Sequence, residues 1–188
     1  MKRQENGVTA DVELAARTHI TSGFRYCPRC SAPLTQGIRF GRPRRFCRYC
    51  GFVHFRDPKV AVGALVSDGR RVLLVRRSVP PRVGCWAFPA GYMDGDELPE
   101  EALAREVAEE AGLRVEVRGL QAVTPLAGWG EQRGLLLLYQ AELTSHCGEL
   151  SAHDDVSEVR WFGPEEIPWD ELAFESTADL LRRWMING

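Results

Sequence analysis

The sequence predicts a layered α/β domain preceded by a small four-cysteine metal module. Three observations predict it. Strand-like runs and helical runs follow one another through the last two-thirds of the chain, the pattern of a layered α/β fold. Two C-x2-C pairs stand near the front, Cys27-Pro28-Arg29-Cys30 and Cys47-Arg48-Tyr49-Cys50, with 16 residues between them. An acidic segment spans residues 91–113. Eight carboxylates (Asp94, Asp96, Glu97, Glu100, Glu101, Glu106, Glu109, Glu110) fall within 17 residues there, and Arg105 is the only cation among them.

The elements follow in order. Residues 1–20 form a polar N-terminal segment with a short helix over 12–17. Residues 21–55 form the cysteine module, with strands over 37–40 and 45–47 between the two cysteine pairs. Asp57-Pro58 marks the junction to a second domain, residues 56–188. Residues 59–66 and 71–75 read as strands joined by the turn Ser67-Asp68-Gly69. The acidic loop and a helix come next. Residues 113–124 and 134–143 read as further strands, and the run Leu135-Leu136-Leu137-Leu138 predicts that the second is central and buried on both faces. Residues 154–162 hold a loop and the last strand, and 177–185 an amphipathic helix.

Four thiols in two C-x2-C pairs are the ligand set of a closed tetrahedral Zn²⁺ site of the ribbon type, Cys27, Cys30, Cys47 and Cys50. Disulfides or redox chemistry are the alternatives. The first six residues are polar and charged, unlike a secretory signal. A reducing, cytoplasmic setting is therefore expected, where paired thiols favour metal. Cys85 and Cys147 lack such partners, and Cys85 reads as a small buried residue. A ribbon this short needs its metal to fold. The net charge of −2 does not mark the whole chain as a nucleic-acid binder. No run approaches the ~20 apolar residues of a membrane span.

In the acidic segment, Glu106, Glu109 and Glu110 share one side of a helix at 3.6 residues per turn. Ala102, Leu103, Val107 and Ala111 form the buried stripe opposite. Pro99 suits the first turn and Gly112 the stop. Like charges at such spacing repel. Either solvent or a hard divalent cation, Mg²⁺ or Mn²⁺, must neutralise them.

The spacing is specific. Gly91, five residues, Glu97, seven residues, then Arg105-Glu106-Val107-Ala108-Glu109-Glu110-Ala111-Gly112-Leu113 resembles the signature of the Nudix hydrolases at nine defined positions over 23 residues. Residues 71–77 and 84–90 resemble the strands that lead into that box, and 158–162 the late strand of the family. The resemblance implies a Nudix α/β/α sandwich. It implies a metal-dependent hydrolase that splits the pyrophosphate of a nucleoside diphosphate linked to another group. Glu106 and Glu110 would be direct ligands, Glu109 a third or one acting through water, and the Ala90 carbonyl another. Glu97 and Arg105 would pair and aim those ligands. The general base would lie on a late loop, with Asp155 the nearest match, His153 an alternative, and Glu158 a further group near the metal.

Substrate signals are weaker. A zinc ribbon with a Nudix domain suggests NADH pyrophosphatases, but their downstream SQPWPFPxS-like signature is not found after Leu113. The pattern of coenzyme A diphosphatases is not found upstream of the box either. The segment 86–93 resembles the ribbon-bearing branch that acts on ADP-ribose and FAD. Trp86, Tyr92 or Trp129 would stack on a flat ring, and Arg76 or Arg77 would hold phosphate. Hydrolysis of NAD(H) or of a capped RNA 5′ end, and a non-catalytic nucleic-acid adaptor, are the competing readings. Many relatives are homodimers, which is expected here too. Arg39, Arg42, Arg44, Arg45 and Arg48 make the ribbon basic, which fits a solvated face, an anionic substrate or RNA.

Overall fold

The computed structural model describes residues 24–127, 133–144 and 148–187. The helix expected over 12–17 lies outside them, as do Trp129 and Cys147. The chain divides into two compact units, Met1–Asp57 and Pro58–Gly188.

In the first unit, β1 (Leu34–Arg39), β2 (Arg42–Cys47) and β3 (Val53–His54) form an antiparallel sheet in the order β1-β2-β3. Arg39 faces Arg42 across the β1–β2 pair, and Gly37 faces Arg44. The first strand starts earlier than the sequence suggests. Phe40 leaves it for the turn, with φ of 49°.

The second unit holds two sheets. One has the order β7-β4-β9-β8, from β4 (Lys59–Val66), β7 (Ala90–Tyr92), β8 (Val115–Ala127) and β9 (Arg133–Leu143). The other has the order β10-β5-β6, from β5 (Val72–Arg77), β6 (Trp86–Ala87) and β10 (Val156–Phe162). β4 and β9 run parallel; the other pairs are antiparallel. Two helices cover them, α1 (Pro99–Ala111) and α2 (Glu175–Asn187).

Strand alternation builds a core on each side. Val62, Ala64 and Val66 of β4 pack with Ala102, Leu103, Val107 and Ala111 of α1. Leu65 of the same strand packs with Leu180 and Leu181 of α2, together with Trp86, Phe88 and Phe162. This is the expected α/β/α sandwich. Among the described residues no helix is long and apolar enough to cross a membrane.

Four expectations are corrected. β9 is central, but it is not buried throughout: Leu138 is 2% exposed while Leu135 is 40% exposed. α1 and its stripe cover only part of β9, and Leu135 pairs with Val60 at the start of β4 and with Pro125 near the far end of β8. β8 runs on to Ala127, through two register shifts that a periodicity count does not see. Arg71 belongs to the turn and not to β5. Its guanidinium and amide both bind Asp68. Cys85 is half-buried and precedes β6 rather than lying within a buried strand.

Candidate active site and metal centres

In the second unit α1 is built by local rules. Pro99 occupies its first turn, and the Glu101 carboxylate reaches back to accept from the Leu98 amide at 2.9 Å. Gly112 ends it with φ of 70° and donates its N–H to Ala108 O at 3.0 Å. The last carbonyls of a helix have no partner within it. Here the loop before β10 supplies two. Ser151 N–H donates to Ala111 O at 3.1 Å and His153 N–H to Glu110 O at 3.2 Å. From the β5 side, Ser78 N–H donates to Asp155 O at 2.8 Å. The loop is thus held at both ends, and the Asp155 side chain interacts with that of Glu110.

Glu106 and Glu110 are buried, 8% and 3% exposed. The Ala90 N–H donates to Glu110 Oε2 at 2.9 Å. The amide of Ala90 thus contacts Glu110, on the residue whose carbonyl the resemblance implies as a ligand. Burial pushes the Glu110 carboxyl up to about 9, with Asp155 and Glu106 adding repulsion and the Ala90 N–H opposing. Burial also raises Glu106, against the Arg105 guanidinium. Gly91 makes this proximity possible, because a Cβ there would lie 2.1–2.2 Å from the Glu106 carboxyl atoms.

Arg105 has a wider role than the pairing with Glu97 that the sequence implies. It grips Glu97 with Nε to Oε2 at 3.0 Å and Nη2 to Oε1 at 2.6 Å. Its Nη1 also donates to Glu106 Oε1 at 2.8 Å and Glu109 Oε2 at 2.9 Å, and its Nη2 to Tyr92 O at 3.1 Å. One cation therefore ties the acidic loop, the strand end and two helix carboxylates together. Its hydrogen bonds, with help from the Asp94 N–H, hold Glu97 down at about 2. The i,i+4 spacing of Arg105 and Glu109 is the signal in the sequence for that wider role.

The other expected residues fall into three places. Trp86 is 5% exposed and meets Phe162 edge-on at 4.8 Å, so its ring belongs to the core. Arg77 is committed to the loop carbonyls of Val79, Pro80 and Pro81. Arg76 pairs with Gly84 O, Glu158 and Glu171. Tyr92 remains 47% exposed, with the Lys59 ammonium 5.9 Å from its ring centre.

In the first unit the four ligand sulfurs of Cys27, Cys30, Cys47 and Cys50 all lie within 4.8 Å of one another. Cys27–Cys50 and Cys30–Cys47 are 3.5 Å apart. That is far beyond an S–S bond of about 2.05 Å. It is close to the edge of a tetrahedron with Zn–S of about 2.3 Å, roughly 3.8 Å. The Cys50 and Tyr49 N–H groups point at Cys47 Sγ, at 3.5 and 3.4 Å, and hold that thiol down at about 7. A thiolate-forming, sulfur-only cage with amide donors behind it fits zinc. One equivalent of zinc per chain is expected by elemental analysis, and Cys47→Ser should lose nearly all of it. Full zinc occupancy in that variant would rule out the four-sulfur site.

A layered α/β domain that sets a carboxylate-rich helix against a glycine-containing strand is a frame for handling phosphate through hard divalent cations. Residues 57–184 match the NUDIX domain, and the chain belongs to that family. It is 33% identical over 134 residues to the ADP-ribose pyrophosphatase of Methanocaldococcus jannaschii, covering 71% of this chain and 76% of that one. It is 31% identical over 150 residues to the NAD-capped RNA hydrolase NudC of Stutzerimonas stutzeri, covering 78% of this chain and 51% of the other. The chain thus spans about half the length of that relative. Among solved structures, a NUDIX hydrolase from Nitrosomonas europaea superposes with a TM-score of 0.76 and 35% identity, over 86% of this chain and 90% of that one.

Proposed function

We propose that this chain hydrolyses the pyrophosphate bond of a nucleoside diphosphate derivative, ADP-ribose or FAD, to AMP and a phosphorylated remainder. The observation that carries this reading is the pair of buried carboxylates, Glu106 against Gly91 and Glu110, with the half-buried Asp155 beside Glu110. Two buried acids with a third carboxylate beside them, one of them pushed to about 9, are unfavourable without a cation.

Glu106 and Glu110 hold Mg²⁺ or Mn²⁺ in this reading, with Glu109 able to join them once it leaves Arg105. When bound, the divalent ion neutralises the pyrophosphate oxygens and polarises phosphorus. Asp155 takes the proton from the attacking water, as its place beside Glu110 allows. Water oxygen bonds to phosphorus, the bridging P–O bond breaks, and the second phosphate leaves. The Ala90 N–H orients Glu110. Arg105 and Glu97 keep the loop on the helix and are positioning residues. Tyr92, whose ring is open, is the one of these candidates among the described residues that is available to stack on a base. Trp86 is not.

ADP-ribose is favoured because the 33%-identical relative carries that name and is covered over 76% of its length. NAD(H), or a capped RNA end, is the second reading, supported by the NudC likeness. Zinc at the four cysteines, a cytoplasmic setting that keeps those thiols reduced, and a homodimer complete the proposal. Hydrolysis of ADP-ribose, FAD and NADH with Mg²⁺ or Mn²⁺ tests it. Faster turnover of ADP-ribose or FAD, with AMP as product, is the expected result. Preference for NADH would move the assignment to the second reading, and inactivity on all three with both metals would end the hydrolase proposal.

A further inference from the structure

Residues 24–57 contain eight arginines and a single carboxylate, Asp57. Zinc held by four thiolates would carry about −2, which leaves this segment strongly positive. The charge has a direction. On the three-stranded sheet, Arg39 of β1 stands directly opposite Arg42 of β2, and Arg44 lies two residues further along the same face. Like charges directly opposite in an antiparallel pair are destabilising. Among the described residues none of the three has a carboxylate partner. Arg39 donates to Ile38 O, and Arg44 to Arg39 O and Phe40 O.

Aromatic rings alternate with these cations. The Arg39 guanidinium lies 3.5 Å from the centre of the Phe46 ring. Arg44 lies 4.8 Å from the centre of Phe55, and Phe55 meets Phe40 at 5.6 Å with a tilt of 34°. Phe40 is 76% exposed and Phe55 46%. Two large open rings in contact with each other, one of them under the Arg44 guanidinium, cost solvation and make no core.

We propose that this sheet face is a binding surface for single-stranded RNA, separate from the hydrolytic site. Arg39, Arg42 and Arg44 contact successive phosphates, and unpaired bases stack on Phe40 and Phe55. Rings combined with a basic track suit unpaired strands, because a duplex keeps its bases stacked inside. RNA is the nucleic acid that cells hold single-stranded in quantity. A phosphate-only ligand would leave the two rings unexplained.

The test uses the full-length protein and a fluorescent 12-nucleotide oligo(U), read by anisotropy across a salt series. Binding at low salt that weakens steeply with salt is expected. Arg39→Gln/Arg42→Gln/Arg44→Gln should lower the magnitude of the log–log salt slope by about 2, from ~0.7 per phosphate contact on single strands. Phe40→Ala, at an exposed turn, should weaken binding roughly fivefold or more at every salt. Both variants should keep their zinc and their turnover of a small nucleotide substrate, which shows that they are folded. No oligo(U) binding by the parent at low salt overturns the proposal. So does unchanged binding by folded variants, or tighter binding of oligo(dT) or of duplex RNA. If the triple variant instead changes only the oligomeric state, the face is an interface between copies and the proposal is overturned. Failure of hydrolysis leaves this test unaffected, since its readout is binding.

Discussion

Glu110→Gln is expected to melt well above the parent protein at pH 8 without added Mg²⁺ or Mn²⁺, while losing nearly all hydrolysis when either metal is supplied. The carboxyl is 3% exposed, and burial is the main cause that lifts it from 4.5 to about 9. The folded state therefore favours its protonated form. For an acid raised in this way, the stabilising contribution is complete below the unfolded value near 4.5. It drains away as pH climbs towards 9. Three pH units at about 1.4 kcal/mol each put the loss between pH 5 and pH 8 at up to about 4 kcal/mol. For a domain of this size that is a fall in Tm on the order of 10 °C. Glu97, held at about 2 by Arg105, titrates below this window and does not contribute to it. Glutamine keeps the shape and the acceptor for the Ala90 N–H but cannot ionise, so its Tm should fall with pH much less than the parent's, with Glu106, also raised by burial, left to contribute. Mg²⁺ should rescue the parent at pH 8 and leave the variant unmoved. Activity should fall by about 10³ or more, the scale of losing several kcal/mol of charge stabilisation. A metal-free parent whose Tm rises from pH 5 to 8, or a variant whose Tm falls as far as the parent's, would show that Glu110 is not a buried, protonated carboxyl.

Gly91→Ala is expected to lose activity by about a hundredfold with the fold intact. The new methyl would sit 2.1–2.2 Å from the Glu106 carboxyl, a distance no real pair of atoms keeps. The obstacle is the tip of a side chain, so the carboxylate moves and the strand stays. Displacement of a ligand by about 1 Å costs on the order of 10² in rate. Gly112→Ala is the contrasting control. Its φ is 70° and its added Cβ would meet the backbone oxygen of Glu149 at 2.6 Å. There the backbone cannot yield cheaply, so stability should fall first. Thermal melting and kcat/KM of the two variants separate the cases. Normal kcat/KM in Gly91→Ala would mean that Glu106 is free to work from elsewhere.

α1 is legible in the sequence because everything that makes it is local. Pro99, the apolar stripe and Gly112 act within a few turns, and a 3.6-residue period needs no partner to be read. The cysteine module is legible for a similar reason, since a C-x2-C turn brings two sulfurs together by itself. Trp86 reads as a stacking residue in the sequence and is a core residue in the fold. Its surroundings come from Phe162, 76 positions later, on β10 of the same β10–β5–β6 sheet. Leu135 reads as buried because four consecutive leucines look alike in sequence. Only the placement of the two helices decides which of them is covered: Leu137 packs in the α1 cluster, Leu136 and Leu138 in the α2 cluster.

The sequence by itself determined the class of fold, the family and the residues that carry charge on the helix, because spacing along one chain is enough for each. The tertiary structure decided what those charges experience. It brought Asp155 to Glu110 across 45 residues, by giving the unpaired carbonyls at the end of α1 to the amides of the loop before β10. It dried Glu106 against Gly91 and Glu110 beside the Ala90 amide, and it set three arginines of the first unit on one sheet face. A carboxylate's pKa and a cation's partner depend on distance and dielectric, and those exist only once the strands are paired.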